Sequence, residues 1–167
     1  MEHEKITVRI CCDVGFYKDI TRHRTGTAFS IESTRWCNYG KDKFENEIKF
    51  IKPCHINDSN NYAMWEECMK NIEKYYMLMS NNGAKPDELR MLLPHSTAAE
   101  ITMTCNIREW RHILSLRCAK MTHPSITQSM IPLLLHFKKE MPCLFEDIEY
   151  DTDFPVEKYS ELRIMEE

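Results

Sequence analysis

Arg22-His23-Arg24-Thr25-Gly26-Thr27-Ala28-Phe29-Ser30-Ile31-Glu32-Ser33-Thr34-Arg35-Trp36 concentrates hydrogen-bond donors in a chain that is acidic overall. Arginines in pairs suit bidentate recognition of phosphate, and a Ser-x-Arg turn adds a hydroxyl and backbone N–H groups to the same task. An isolated Arg-His-Arg is more often a solvated basic turn, so the reading depends on what stands elsewhere in the chain.

A second constellation follows at Asn106-Ile107-Arg108-Glu109-Trp110-Arg111-His112, continuing to Arg117. Asn106 is a good N-cap, and on the helix it would open, Arg108 and His112 lie one turn apart on a shared face. Arg117 follows Leu114 and Leu116 in a stretch suited to a core, where an arginine is costly unless it is paired or faces a ligand. The plainer alternative is an amphipathic surface helix on which Glu109 pairs with neighbouring arginines. Arg90 interrupts Leu89 and Met91-Leu92-Leu93 and would reach the same anion, or else mark the polar side of an ordinary helix.

What is missing narrows the chemistry. His3, His55, His95, His123 and His136 show no metal-ligand spacing, so no metal is expected. There is no GxSxG elbow, no phosphate-binding glycine loop and no dinucleotide fingerprint. With 22 Lys+Arg against 26 Asp+Glu, the net charge of -4 excludes a general nucleic-acid or anionic-membrane binder. The longest apolar run, Ile131-Pro132-Leu133-Leu134-Leu135, is far too short to span a bilayer. The opening residues lack a signal-peptide layout, and the 8 cysteines include no CxxC pair, so reduced thiols and a cytoplasmic location are expected.

The 167 residues suit one domain, here drawn over residues 1–150 with an acidic tail over 151–167. Alternation of Ile6, Val8 and Ile10 predicts a strand that must pair with a later segment or another subunit. A short helix or turn is expected over residues 16–24 and a second strand around 48–51. Helical spacing covers 61–81 with Gly83 as its stop, and Pro86 opens a helix carrying Leu89 to Leu93. A strand over 99–104, a helix from Asn106 through Arg117, and a last helix from His123-Pro124 to about Lys139 complete the pattern, with a kink expected at Pro132. The fold class expected is α/β of the α+β type, a twisted sheet packed with long helices.

Taken together, the ordered motifs resemble the flavin-dependent thymidylate synthases. The family signature is an RHR triplet, a short spacer and Ser-x-Arg-aromatic, matched by Arg22-His23-Arg24 and Ser33-Thr34-Arg35-Trp36. Lys43-Phe44-x-Asn46-Glu47-Ile48, Leu89-Arg90-x-Leu92-Leu93-Pro94, Asn106-x-Arg108-Glu109-Trp110-Arg111-His112 with Leu116-Arg117, and Pro142 to Glu146 extend the resemblance from Glu2-His3 to about Ile148. It implies homotetramers with interfacial active sites, where FAD stacks beside dUMP, methylenetetrahydrofolate gives the one-carbon unit and NADPH the hydride. By motif matching, Arg22, His23, Arg24, Asn106, Ile107, Arg108 and His112 would contact FAD. Asp19, Arg22, Glu32, Ser33, Thr34, Arg35, Arg90 and Arg117 would contact dUMP, with Arg117 the catalytic arginine against the uracil ring.

The sequence departs from the family pattern in several places. The spacer after Arg24 is one residue longer, Ile31 stands where Gln or Glu is usual, Trp36 replaces Tyr, and His112 holds a position shared by Asn and His. The chain opens at what resembles the family's LEH-type strand, so the helices and loop that usually precede it would be lacking. A non-catalytic or partner-dependent nucleotide- or flavin-binding homologue, or a dUMP hydroxymethylase, therefore stand as alternatives.

Overall fold

The computed structural model describes residues 1–35, 37–40 and 47–163. Trp36, Lys43, Phe44 and Asn46 of the matched motifs lie outside the described residues. The elements are β1 (Lys5–Asp13), α1 (Val14–Ile20), β2 (Thr27–Ile31), α2 (Ser59–Asn81), α3 (Pro86–Leu89), β3 (Ala98–Asn106), α4 (Ile107–Arg117), α5 (Pro124–Glu140) and α6 (Pro142–Phe145).

The three strands form one sheet in the order β1-β3-β2, so the early strand inferred from Ile6, Val8 and Ile10 finds its partner late in the chain. Its register is antiparallel: Thr7 Oγ1 meets Thr104 Oγ1 at 2.9 Å, and Ile107 N donates to Glu4 O at 3.2 Å. On the other side of β3, Cys105 Sγ lies 3.5 Å from Thr27 Oγ1 while Glu32 N donates to Glu100 O at 3.2 Å. In both pairings one strand's numbers fall as the other's rise. Period-two burial is clean along β3, where Ala99, Ile101, Met103 and Cys105 are buried and Glu100 is exposed.

The second strand is not where alternation suggested. It runs over Thr27–Ile31, between the two halves of the arginine signature, and the stretch around Phe50 contributes a single antiparallel bridge to Thr97. Pro53, two residues past Ile51, lacks the N–H that a longer pairing would need. The helix expected over Leu89 to Leu93 also shortens. α3 ends at Leu89 and gives way to a 3₁₀ turn over Arg90–Leu92, because the residue before Pro94 is barred from helical geometry.

The chain divides into two compact units, each assembled from separate segments. The first comprises Met1–Ile10, Ile20–Phe29 and the chain from Thr102 onward. Its core is built by α4 and α5: Trp110, Ile113 and Leu114 are buried with Met130, Ile131 and Leu134. The Trp110 ring meets Phe137 edge-on at 5.6 Å and donates its Nε1–H to Ile6 O at 3.0 Å, fastening β1 to the helix layer. Pro132 lies inside α5, and the helix continues through it to Glu140.

The second unit comprises Cys11–Asp19 and Ser30–Ile101. Tyr39, Ile48, Tyr76 and Leu89 form its cluster, and the Tyr76 hydroxyl accepts from Tyr39 N at 3.2 Å. Asp58 caps the start of α2 by accepting from Asn61 N, and Gly83 takes φ +89 just past its end, as the stop signal required. Among the described residues, no helix is long and apolar enough to cross a membrane.

Candidate functional site

In the first unit, the loop between α1 and β2 delivers the Arg-His-Arg triplet with alternating burial. Arg22 and Arg24 are exposed, whereas His23 is only 8% exposed and turns inward onto α4. Gly26 lets the loop turn there, at φ +64. A Cβ on it would stand 2.8 Å from Asn106 Nδ2, so the loop also needs glycine's missing side chain. Gly26→Ala should therefore cost about 1–2 kcal/mol of stability, from left-handed backbone strain alone, measurable by urea denaturation.

Asn106 performs the cap inferred for it, its Oδ1 accepting from Glu109 N at 2.8 Å. Ile107 is buried, and its N–H is directed to Met1 O and Glu4 O, so its side chain serves the core. Arg108 is exposed and pairs with Glu2 at 2.8 Å. Arg111 pairs with Asp147 at 2.6 Å and also donates to Leu144 O. His112 is exposed and, with Arg111, Ser115, Asp147, Ile148 and Glu149, lines an open groove of about 530 Å³.

Two readings of this helix need correction. Leu116 is half exposed, so Arg117 is not sandwiched by core leucines: the 3.6-residue period turns Trp110, Ile113 and Leu114 inward and carries Leu116 outward. Arg117, half-buried, donates its Nε–H to His23 Nε2 at 3.0 Å. Nor does Glu109 pair with surface arginines. It is buried, with Oε1 3.6 Å from His23 Nδ1. The signal that places it inward is its phase, since 109, 110, 113, 114 and 117 follow one helical stripe.

The electrostatics of this cluster are one-sided. Burial, the Arg117 guanidinium and His112 together hold His23 down from its ordinary 6.5 to about 4. Burial pushes the Glu109 carboxyl up, opposed by His112. At neutral pH His23 is uncharged, and with Nε2 accepting from an arginine its proton sits on Nδ1. His23, Glu109 and His112 offer potential ligand atoms within 4.8 Å of one another. A metal ion at His23 Nδ1 would need the lone pair that this tautomer covers, and so would have to displace Arg117 first.

A pH dependence follows. Between pH 6.5 and 4 the unfolded chain protonates this histidine and the native chain does not, so stability is complete above 6.5 and falls with acidification through that window. The expected loss attributable to His23 is about 2–3 kcal/mol by pH 4, read from urea midpoints in wild type and a His23→Asn variant.

The remaining candidates stand in the second unit. Asp19 lies in the last turn of α1 and is exposed. Glu32 Oε1 accepts from Cys37 Sγ at 3.1 Å, and Ser33 O accepts from Cys37 N at 3.2 Å, closing a turn that carries Thr34 and Arg35. Ser33 and Arg35 are exposed and Thr34 is half-buried. Arg90 is exposed on the 3₁₀ turn after α3, and its charge works against the burial that raises the Tyr17 phenol.

The family model described as thymidylate synthase complementing protein matches residues 1–143. A flavin-dependent thymidylate synthase of Geobacter sulfurreducens is 24% identical over 129 residues, covering 77% of this chain and 53% of the relative. One from Pyrococcus abyssi is 28% identical over 120 residues, covering 70% and 48%. The chain thus spans about half the length of these relatives. The fold is shared with thymidylate synthase X from Helicobacter pylori, a crystal structure with FAD and dUMP, at a TM-score of 0.71 and 20% identity over 88% of this chain and 74% of that one.

Proposed function

From the premise that the chain belongs to the thymidylate synthase complementing protein family, we propose that it acts as a flavin-dependent thymidylate synthase, converting dUMP to dTMP. Methylenetetrahydrofolate is the one-carbon donor in this reading. FAD, when bound, carries hydride from NADPH.

The observation that carries the reading is the bond between Arg117 and His23. It joins two signature segments 94 residues apart in sequence, with the flanking Arg22 and Arg24 left exposed. The donor set fits a dinucleotide cofactor: three exposed arginines, Arg22, Arg24 and Arg108, supply bidentate donors for phosphates, and His112 supplies an exposed ring. Ser33, Thr34, Arg35 and Arg90, with Asp19 and Glu32, are assigned to dUMP. Arg117 is assigned to the uracil ring, where its fixed positive charge would stabilise negative charge developing during transfer. Such a protein needs no nucleophile–base pair of its own, because orientation and electrostatics are its contribution.

The reading is tested by the visible absorption spectrum of the protein titrated with FAD and then dUMP. A bound-flavin spectrum that shifts on adding dUMP supports it. A protein that cannot be loaded with flavin contradicts it.

The same reading makes the protein a cytoplasmic homotetramer, and its free cysteines suit a reducing compartment. α2 supports the assembly: Met64, Tyr75 and Leu78 are 65%, 58% and 48% exposed along one side of the helix. An apolar stripe of this kind is an interface in waiting. The double variant Tyr75→Glu/Leu78→Glu should shift sedimentation velocity from tetramer to smaller species without loss of helix content.

A further inference from the structure

Glu109 has no part in the binding roles assigned above, yet it is a buried acid, which a fold tolerates only with a partner. Its partners among the described residues lie on α4, on β3 and in the loop before β2. His23 lies 3.6 Å away, and the charge of His112 is close enough to pull its carboxyl down. Cys105 on β3 is near enough to feel Glu109, although burial dominates that thiol's upward shift. Arg117 stands on the far side of the His23 ring, bonded to the other nitrogen.

We propose that Glu109 is a positioning residue for Arg117, acting through His23. Its carboxylate favours the tautomer that carries the proton on Nδ1, which leaves Nε2 as the acceptor that fixes the Arg117 guanidinium. The opposite tautomer would set the Nε2–H against the Arg117 Nε–H, donor to donor, and leave a lone pair facing the carboxylate. A protonated ring is excluded by the adjacent guanidinium and by burial. At 3.6 Å the Glu109–His23 contact is a charge–dipole interaction rather than a short hydrogen bond, so its work is to bias the ring, not to hold it alone. Helical phase explains why one element supplies both ends: Glu109 and Arg117 lie on the same stripe of α4, with His23 received between them.

The consequence for function rests on the proposed assignment of Arg117 to the uracil ring, but the positioning can be measured without turnover. Long-range ¹H–¹⁵N correlation on the folded protein, labelled in histidine and arginine, reads the His23 tautomer and the Arg117 Nε–H exchange at neutral pH. Wild type should show a single Nδ1–H tautomer and a slowly exchanging Arg117 Nε–H. Glu109→Gln, whose amide oxygen still faces Nδ1–H, should keep both. Glu109→Leu, which fills the space without an acceptor, should give a tautomer mixture and faster Arg117 exchange. In the turnover assay Glu109→Leu should lower kcat by about tenfold to a hundredfold with the KM for dUMP little changed, and Glu109→Gln should restore most of it.

An Nε2–H tautomer in wild type would overturn the inference. So would a Glu109→Leu protein with the wild-type tautomer and exchange. If Glu109→Leu fails to fold, the wild-type tautomer and the Glu109→Gln spectrum decide. A wild type inactive toward dUMP would sink the functional reading while leaving the spectroscopic test of Glu109 intact.

Discussion

Arg117→Ala should lower kcat for dTMP formation by about a hundredfold or more while moving the melting temperature by only a few degrees. Arg117 is half-buried at the end of α4 and contributes little to the core, so its removal spares the packing of Trp110, Ile113 and Leu114. What the substitution deletes is a cation held in a fixed direction by the His23 ring. Arg117→Lys keeps the charge but loses the planar fork and the Nε–H, and should recover only a small part of the rate. An internal control accompanies the assay. Without the guanidinium, one of the causes holding His23 near 4 disappears, so the histidine should titrate closer to its ordinary value in the variant. A variant with full activity would refute the assignment of Arg117.

The largest effect on stability is expected at Trp110. Its ring is fully buried between β1, α4 and α5, meeting Phe137 edge-on and donating to Ile6 O. Truncation to Ala leaves a cavity and an unpaired carbonyl, and should cost about 3–5 kcal/mol. Against a total of roughly 5–15 kcal/mol for an ordinary domain, that removes about a fifth of the stability at the least and all of it at the most. Trp110→Phe, which retains most of the packing and loses the N–H, should cost about 1–2 kcal/mol. Urea unfolding of the two variants separates the packing share from the hydrogen-bond share.

The helical half of the molecule was legible because its signals are local. Asn106, Gly83 and Pro86 mark their helix ends by backbone chemistry that acts within one turn, and the observed boundaries follow them. β3 was legible through alternation. β2 was not, since Thr27 to Ile31 sits inside the donor-rich signature, and only pairing to the distant β3 identifies it as a strand. At the site, residue types were readable and partnerships were not. The arginines announced themselves by number and spacing, whereas the role of His23 as a bridge depends on a contact across 94 residues. Glu109 was read, on the plainer alternative, as a partner of neighbouring arginines on an amphipathic surface helix. Burial against His23 is a tertiary fact, although the helical phase it shares with Trp110 and Ile113 already pointed inward.

The central claim is that this chain makes dTMP. Its most direct test is the mass of the nucleotide recovered after incubating the FAD-loaded protein with dUMP, methylenetetrahydrofolate and NADPH. The account predicts a product heavier than dUMP by one CH₂, formed by wild type and formed about a hundredfold or more slowly by Arg117→Ala. Unchanged dUMP, or a nucleotide heavier by CH₂O, would contradict it.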